Sequence, residues 1–255
     1  MKTIVKKILP HNSFVLSFYR KLYWRYVSYK RGHPVAWNFD ILKTYARIKN
    51  HVNFLQIGSN NGISGDPICD LIKERGWQGV LVEPVPFLYE ELKHNYREFH
   101  DQLSFENSAI AHVNGRQKFY RIKEVPGLPQ WYSQLGSFNK DVIVGHKSYI
   151  PDFDNLFIED YVNTITFNDL LAKYSIKSLN LIHIDTEGFD YEIAQMIPFS
   201  SLDVDLVMFE HKHLSSSDYA GITKLLRDKG YKVGKNDSVD TIAVKKKILR
   251  ALQLT

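Results

Sequence analysis

A short apolar run that passes directly into a glycine-rich loop constrains the fold of this chain most. Residues 54–57 are mostly apolar and too few for a helix, which indicates a buried strand of a parallel sheet. The loop that follows can bring its backbone N–H groups close to a ligand, and it consists mainly of Gly58, Ser59, Asn60, Asn61, Gly62 and Gly65. Asp66 and Pro67 have the residue types of an N-cap and a first helical position. Strand, loop and helix in this order predict a nucleotide-type site at the carboxyl end of the strand.

An acidic residue ends the next apolar run. Residues 79–83 form a second short strand that ends in Glu83, about twenty residues beyond the loop, where an acid can accept both hydroxyls of a ribose. The glycine spacing in the loop is not G-x-G-x-x-G, so the dinucleotide fingerprint is absent. The alternative is a loop that only breaks the chain, followed by an ordinary charged strand end. The loop and the acid together favour a nucleoside-type ligand such as NAD or S-adenosylmethionine.

Length and composition indicate a single large domain. The chain has 255 residues, of which 44% are hydrophobic and 24% charged, and this fits one α/β domain with an N-terminal extension better than two domains. We expect the extension over residues 1–50, the domain over 51–247 and a tail over 248–255. The single cysteine, Cys69, excludes an internal disulfide and is typical of a reducing compartment. Because no apolar run has the length of a membrane span and no signal peptide is recognisable, a cytoplasmic protein is expected.

The N-terminal extension is strongly basic. Residues 1–39 carry eight Lys and Arg residues and no acid, so the rest of the chain has a net charge of −3 (+5 minus +8). Apolar residues recur at helical spacing between residues 15 and 29, opposite Arg20 and Arg25. Such a helix could dock on the rest of the chain, pack on a second copy in a homo-oligomer, or lie on the inner face of a membrane through residues 1–35. The acidic remainder argues against a nucleic-acid partner.

Strands and helices alternate from residue 54 to residue 244, which predicts an open, doubly wound α/β sheet. The carboxyl ends of the strands of such a sheet share one crevice. The predicted strand ends carry ligand-type groups at Gly58, Glu83, Ser108, Asp185 and Glu210. We therefore expect the functional site in this crevice.

Residues 123–160 interrupt the alternation. They begin with several prolines and glycines and continue with many aromatic residues that show no clear periodicity. A long segment of this kind inside a compact domain is usually functional, so we predict an inserted lid or acceptor-binding loop. The alternative is a surface excursion that packs its own aromatic side chains.

Several stretches together carry a family resemblance. The motifs Q-I-G-S-N-N-G-x-x-G-D-P, W-x-G-V-L-V-E-P-x-P, N-x-A-I, L-G-S-F-N-K-x-V and I-D-T-E-G-x-D-Y-E-I resemble those of the FkbM-type class I methyltransferases, over about residues 52–244. The resemblance implies a Rossmann-like, seven-stranded, mostly parallel sheet with S-adenosylmethionine as methyl donor. It also implies O-methylation of a hydroxyl, often on a sugar of a glycan or on a secondary metabolite. His183 departs from the family pattern, which has lysine there, and its apolar neighbours indicate a core histidine.

The resemblance also implies roles for individual residues. The loop would line the methionine and ribose side of the cofactor through Gln56, Gly58, Ser59, Asn60, Asn61 and Gly62. Glu83 would hold the ribose, with Pro84 and Ser108 near the adenine. Asp185 would lie close to the methionine end and the reacting centre.

A hydroxyl acceptor must also lose its proton, which calls for a general base or a metal ion. Asp185, Glu210 and His211 at neighbouring strand ends are the expected ligands of Mg²⁺ or Mn²⁺, an arrangement similar to that of metal-dependent O-methyltransferases. Without a metal, Asp185 would face the amino group of the cofactor, and His211 or His146 would be the base. The pair His211 and His213 alone rarely makes a metal site.

Two other classes of function stay open at the level of sequence. A NAD-dependent oxidoreductase would also use a loop and Glu83, but it would want a longer crevice and the dinucleotide fingerprint. A non-catalytic nucleoside-binding module would need no open acceptor pocket. Thermal stabilisation by S-adenosylmethionine but not by NAD would argue against the oxidoreductase. An open pocket beneath residues 123–160 would argue against the binding module.

Overall fold

The computed structural model describes residues 36–37 and 40–252. The helices of this part of the chain are α1 Ile41–Ile48, α2 Cys69–Arg75, α3 Pro86–Asn95, α4 Gln130–Gln134, α5 Lys140–Val144, α6 Phe153–Leu156, α7 Phe167–Lys173, α8 Asp190–Met196, α9 Ser216–Asp228 and α10 Lys246–Ala251. The strands are β1 Asn53–Ile57, β2 Gln78–Val82, β3 Leu103–Glu106, β4 Ala109–Ile110, β5 Gly115–Ile122, β6 Gly136–Ser137, β7 Phe157–Ile165, β8 Ser178–Ile184, β9 Asp203–Glu210, β10 Tyr231–Lys235 and β11 Asp240–Lys245. Among the described helices, none is long and apolar enough to cross a membrane.

A seven-stranded sheet in the order β10-β11-β9-β8-β1-β2-β3 forms the centre of the described molecule. β3, β2, β1, β8 and β9 run parallel, and β11 is antiparallel to both of its neighbours. The predicted Rossmann-like, seven-stranded, mostly parallel sheet is confirmed. The chain runs from β1 outward to β3 and later returns to β8 on the other side of β1, so the carboxyl ends of β1 and β8 flank the point where the strand order reverses. Ligands of open α/β sheets bind at such a point.

Alternate residues of the central strands enter two separate cores. Phe54 and Leu81 are fully buried on one face of the sheet, in the core that also holds Trp77. Leu55 and Ile57 are buried on the other face. Because side chains alternate across a strand and both faces are covered, an apolar run of this length forms a central strand rather than an edge.

The described part of the chain also forms a second, four-stranded sheet. The segment 103–110 is divided between β3 in the main sheet and β4 in a sheet of order β4-β7-β5-β6. Asn107 and Ser108 separate the two strands, and the Asn107 side-chain amide donates to the Glu83 carbonyl oxygen at 2.8 Å. The chain leaves the main sheet at this contact, and no periodicity of the sequence marks the position.

Residues 123–160 contain short helices rather than an irregular loop. α4, α5 and α6 have only four or five residues each, too few to show a helical period in the sequence. Their apolar residues form a core of their own, which includes Tyr132, Ile143 and Phe153. β7 already begins at Phe157, inside this segment, because it pairs along the full length of β5. Whether the segment moves as a lid stays a prediction.

The core includes residues on both sides of the predicted 51–247 domain. Ile41 and Tyr45 of α1 are fully buried against the sheet, and the Tyr45 hydroxyl donates to Asp205 Oδ2 at 2.6 Å. Leu249 of α10 is buried in the same core. α1 and α10 therefore belong to the body of the domain. The amphipathic helix and the membrane or subunit contacts predicted for residues 1–35 lie outside the described residues.

Candidate functional site

One large cavity lies at the carboxyl ends of the parallel strands. It has a volume of about 1070 Å³, and the loops after β1, β2 and β8 form one wall. The segment 123–160 forms much of the opposite wall, through residues that include Trp131, Leu135, His146 and Tyr149. Nine of the sequence-predicted site residues line this cavity: Gln56, Gly58, Ser59, Asn60, Glu83, Pro84, Ser108, His146 and Asp185.

At Gly58 the chain that leaves β1 passes so close to the end of β8 that no side chain fits between them. Its φ is +81°, and a Cβ atom built on it would lie 1.7 Å from the carbonyl oxygen of Asp185. The backbone N–H groups of Gly58 and Ser59 both donate to the Val82 carbonyl oxygen at 3.0 Å. The glycine is therefore required by close approach of backbone to backbone, as well as by its positive φ.

Glu83 connects the glycine loop to the start of α3. Its Oε2 accepts a hydrogen bond from the Asn60 backbone N–H at 2.8 Å, and its Oε1 accepts one from the Val85 N–H at 2.9 Å. Burial raises the pKa of this carboxyl to about 7, although the two N–H groups act in the opposite direction. Each oxygen keeps a further lone pair, so the carboxylate can accept hydroxyl groups from a ligand in the cavity.

Asn61 and Gly62, predicted to line the cofactor, lie behind the loop instead of on the cavity. Asn61 Oδ1 accepts from the backbone N–H groups of Ile63 and Ser64 at 3.2 and 3.1 Å. Gly62 packs on Tyr96, whose hydroxyl donates to the Gly62 carbonyl oxygen at 2.7 Å. These two residues shape the loop, because its tight turn directs their polar groups back into it.

A buried histidine pairs with the glutamine at the end of β1. Gln56 Nε2 lies 3.0 Å from His183 Nδ1 and 3.1 Å from Asp66 Oδ2, so the amide donates to both. Burial lowers the pKa of His183 to about 4, which makes the ring neutral, with its proton on Nε2. Gln56 Oε1 and His183 Nε2 are buried without a hydrogen-bond partner among the described residues, yet both side chains line the cavity. His183 is thus buried, as predicted, and also faces the site.

Acidic groups gather after β8. The Asp185 backbone N–H donates to the Ile57 carbonyl oxygen at 2.9 Å, which fixes this end of the strand beside the glycine loop. Burial, then the charges of Glu187 and Asp66, raise the pKa of the Asp185 carboxyl to about 7. Asp190 is fully buried and accepts a hydrogen bond from the Thr186 hydroxyl at 3.0 Å. Acidic side chains are therefore concentrated around this end of the cavity, where burial favours their protonated forms.

Glu187, Glu210 and His213 form a compact group at the same place. His213 Nε2 lies 3.2 Å from Glu187 Oε2 and 3.7 Å from Glu210 Oε1, and one ligand atom from each residue lies within 4.8 Å of the others. Burial, Lys212 and His146 together lower the pKa of His213 to about 4, so the ring is neutral. Glu187 and His213 line the cavity, whereas Glu210 closes the group from behind.

The predicted ligand set of Asp185, Glu210 and His211 is not the set that the structure brings together. His211 Nδ1 lies 3.2 Å from the Thr241 hydroxyl oxygen, and its ring packs on Tyr219, away from the cavity. Glu210 Oε1 instead lies 3.7 Å from His213 Nε2, and neither Glu210 nor His211 lines the cavity. The same geometry separates His211 from the position of a catalytic base.

His146 does lie at the cavity. Its Nδ1 is 2.9 Å from the Val142 carbonyl oxygen, which requires Nδ1 to donate and leaves Nε2 as the acceptor nitrogen. The ring lies 5.3 Å from the ring of His213 and 6.5 Å from that of Trp131. A neutral imidazole with an acceptor nitrogen can take a proton from a bound hydroxyl.

Sequence reasoning missed Glu187 and set His213 aside. Both residues stand in stretches that it had singled out, I-D-T-E-G and E-H-K-H. The signal that could have found them is the pairing of the two strand ends, since β8 and β9 are neighbours. Glu187 has a positive φ of 51°, a local turn that strand periodicity does not predict.

The fold and the site together define the class of protein to which the chain belongs. A sheet of this strand order, with a glycine loop after β1 and an acid after β2, is that of the Rossmann-like enzymes that bind a nucleoside cofactor. The family model described as "Methyltransferase FkbM domain" matches residues 56–233. The chain belongs to this family, the FkbM-type methyltransferases.

Solved structures of several methyltransferases resemble the chain at low sequence identity. A methyltransferase FkbM from Methylobacillus flagellatus KT is 13% identical, with a TM-score of 0.48, over 76% of this chain and 44% of that one. A precorrin-6y C5,15-methyltransferase from Geobacter metallireducens GS-15 is 11% identical, with a TM-score of 0.41, over 83% and 94%. An RNA methyltransferase from Salinibacter ruber, in complex with S-adenosyl-L-homocysteine, is 12% identical, with a TM-score of 0.39, over 79% and 86%. The chain thus spans less than half of the Methylobacillus protein, and no curated protein sequence matches it.

Proposed function

We propose that this methyltransferase transfers the methyl group of S-adenosylmethionine to a hydroxyl of a sugar, in a glycan, glycolipid or secondary metabolite. The size and extent of the cavity carry the proposal. Its volume of about 1070 Å³ reaches from Glu83 to Trp131 and Tyr149. Pockets for one small ligand have roughly 300–1,000 Å³, so this cavity has room for the cofactor and an acceptor side by side.

The cofactor would occupy the half of the cavity beside the glycine loop. Glu83 would accept the ribose hydroxyls, since its oxygens are already oriented by two backbone N–H groups. Pro84 and Ser108 would lie at the adenine, and Gln56 and Asp185 at the methionine end. The unpartnered Gln56 Oε1 is an acceptor suited to the cofactor's ammonium group.

The acceptor would occupy the half enclosed by residues 123–160. Trp131 and Tyr149 line this half and are 42% and 71% exposed, which leaves aromatic surface for the apolar face of a sugar ring. The cavity beneath the segment is open rather than filled, which favours an enzyme over a non-catalytic binding module. We expect a small molecule or a glycan rather than a nucleic acid, because acidic side chains, those of Asp185 and Glu187, line the neighbouring end of the cavity.

The reaction would be an in-line displacement. S-adenosylmethionine, held by Gln56, Glu83 and Asp185, would supply the methyl group: the acceptor oxygen would bond to the methyl carbon as the carbon–sulfur bond breaks, and the electron pair would stay on sulfur in S-adenosylhomocysteine. The hydroxyl proton goes to Nε2 of His146 in the metal-free form of this proposal. Most of the rate enhancement would come from positioning and from exclusion of water by the segment 123–160.

Two measurements test the proposal. Calorimetry of the purified chain is expected to show binding of S-adenosylmethionine and S-adenosylhomocysteine but no binding of NAD. Binding of NAD alone would favour the oxidoreductase. Mass spectrometry of glycans and metabolites from cells with and without the chain is expected to find an O-methylated sugar only in its presence. A methylated product at nitrogen or carbon would contradict the proposed acceptor while leaving the methyl donor in place.

A further inference from the structure

Glu187, Glu210 and His213 have ligand atoms at the spacing of a metal coordination sphere. A divalent transition-metal ion with bonds of about 2.1 Å holds neighbouring ligands about 3 Å apart and opposite ligands about 4.2 Å apart. The contacts of 3.2 and 3.7 Å from His213 Nε2, and the 4.8 Å limit for the whole group, lie in or close to this range. Little movement would bring all three atoms onto one ion.

The polar atoms of this group are not satisfied by one another. Glu210 is only 5% exposed, and its Oε2 is buried without a hydrogen-bond partner among the described residues, as is Glu187 Oε2. The 3.2 Å contact between His213 Nε2 and Glu187 Oε2 is therefore not a hydrogen bond. A buried, unpaired carboxylate costs several kcal/mol, and native structures usually compensate it with a partner or an ion.

His213 Nε2 is the nitrogen that faces the two carboxylates, at 3.2 Å from Glu187 Oε2 and 3.7 Å from Glu210 Oε1. An imidazole nitrogen and two carboxylate oxygens that converge in this way form a donor set for a divalent transition-metal ion.

We propose that Glu187, Glu210 and His213 bind one divalent transition-metal ion, of which Mn²⁺ is the representative, at the acceptor end of the cavity. Two carboxylates and one imidazole combine the oxygen ligands that Mn²⁺ prefers with the nitrogen ligand that Mg²⁺ seldom takes. Because Glu187 and His213 line the cavity and Glu210 lies behind them, open coordination positions would face the acceptor. Only the role of the ion rests on the proposed function: a hydroxyl bound to it would become more acidic and be oriented toward the methyl group.

Titration of the full chain with Mn²⁺, followed by electron paramagnetic resonance of the free ion, tests the site directly. We expect one saturable site per chain, with binding weakened at least ten-fold in Glu187→Gln and in His213→Asn. His211→Asn is the matched control, because this neighbouring histidine belongs to the set that the structure does not bring together, and its Mn²⁺ affinity should equal that of the unmodified chain. Glu187 is the most accessible of the three, so Glu187→Gln is the variant least at risk of unfolding, and a thermal melt of each variant checks this.

Three results would overturn the proposal: no saturable Mn²⁺ site in the unmodified chain, unchanged affinity in the folded Glu187→Gln variant, or a loss in His211→Asn as large as that in His213→Asn. Calorimetry with S-adenosylhomocysteine on the same preparations separates this failure from failure of the proposed function. Cofactor binding without Mn²⁺ binding removes the ion alone. Mn²⁺ binding without cofactor binding supports the ion site and contradicts the cofactor placement.

Discussion

Gln56 and His183 lie directly opposite one another on the adjacent parallel strands β1 and β8, with Gln56 Nε2 3.0 Å from His183 Nδ1. Their register places both side chains on one face of the sheet, at the edge of the cofactor half of the cavity. The amide also donates to Asp66, which lies just before the helix that follows the loop. One side chain thereby ties the central strand, its neighbour and the glycine loop together.

This pair predicts a specific acid sensitivity. Burial lowers the pKa of His183 to about 4 in the folded chain, below its ordinary value of about 6.5, so the unfolded state gains a proton first as the pH falls. The folded state should lose stability between pH 6.5 and 4, by up to about 3 kcal/mol. Substitution His183→Gln should make the free energy of unfolding less dependent on pH in this window, as measured by urea denaturation at several pH values. An equal change in the exposed His100→Gln control would show that burial of His183 is not the cause.

We predict that a single methyl group added at Gly58 lowers the free energy of unfolding substantially. In Gly58→Ala the new Cβ would meet the Asp185 carbonyl oxygen at 1.7 Å, and the residue would also hold a φ of +81°. Gly65→Ala is the matched control, since its φ is +73° but no atom lies within 4 Å of the new Cβ. We expect Gly65→Ala to cost about 1 kcal/mol and Gly58→Ala at least 2 kcal/mol more, in the free energy of unfolding. Equal costs would mean that the close approach to β8 is not rigid.

Glu83 predicts a change in cofactor affinity. Glu83→Ala removes the acceptor for two backbone N–H groups and for the proposed ribose hydroxyls. S-adenosylmethionine binding should weaken by about 1–3 kcal/mol, the scale of a lost charged hydrogen bond. Calorimetry measures this, with Glu98→Ala as an exposed acidic control. Unchanged affinity in a folded Glu83→Ala variant would remove this residue from the site.

Tyr45 predicts that α1 is part of the stable domain. Its buried hydroxyl donates to Asp205 Oδ2, which also accepts from the Asn180 side chain at 3.1 Å. Tyr45→Phe should lower the free energy of unfolding by about 1.5–3 kcal/mol, because the acceptor is charged. The exposed Tyr161→Phe is the control. If urea denaturation finds no difference between the two variants, α1 does not contribute to the cooperative unit.

His146 predicts a kinetic effect once an acceptor is known. His146→Asn removes the acceptor nitrogen at the cavity without touching the glycine loop. If the proposed base is correct, kcat should fall by about 10²–10⁴-fold while the affinity for S-adenosylmethionine stays the same. Steady-state kinetics and calorimetry on the same variant measure the two quantities. If kcat is unchanged, His146 is not the base, and the ion proposed at Glu187, Glu210 and His213 remains as the group that would activate the hydroxyl.

Local sequence patterns predicted much of the fold and the position of the cavity. The apolar run before Gly58, the acid at Glu83 and the alternation of elements predicted the parallel sheet and the edge at which the cavity lies. These features follow from side-chain period and turn chemistry within a few residues. The short helices of 123–160 and the division of 103–110 between two sheets were not predictable in this way, because no element there is long enough to show a period.

The sequence by itself determined the sheet, the glycine loop and the strand ends at which ligands meet, since local patterns encode each of them. Only the tertiary structure decided which polar groups face one another there. His211 and His213 are equally plausible ligands in sequence, but His211 contacts Thr241 while His213 lies beside Glu187, 26 positions earlier in the chain. The physical reason is that side-chain direction after a strand end depends on the turn that follows, and the turns after β8 and β9 pack on each other and on the inserted segment: a Cβ atom built on Gly188 would lie 3.0 Å from Val142 and 3.1 Å from the His213 carbonyl oxygen.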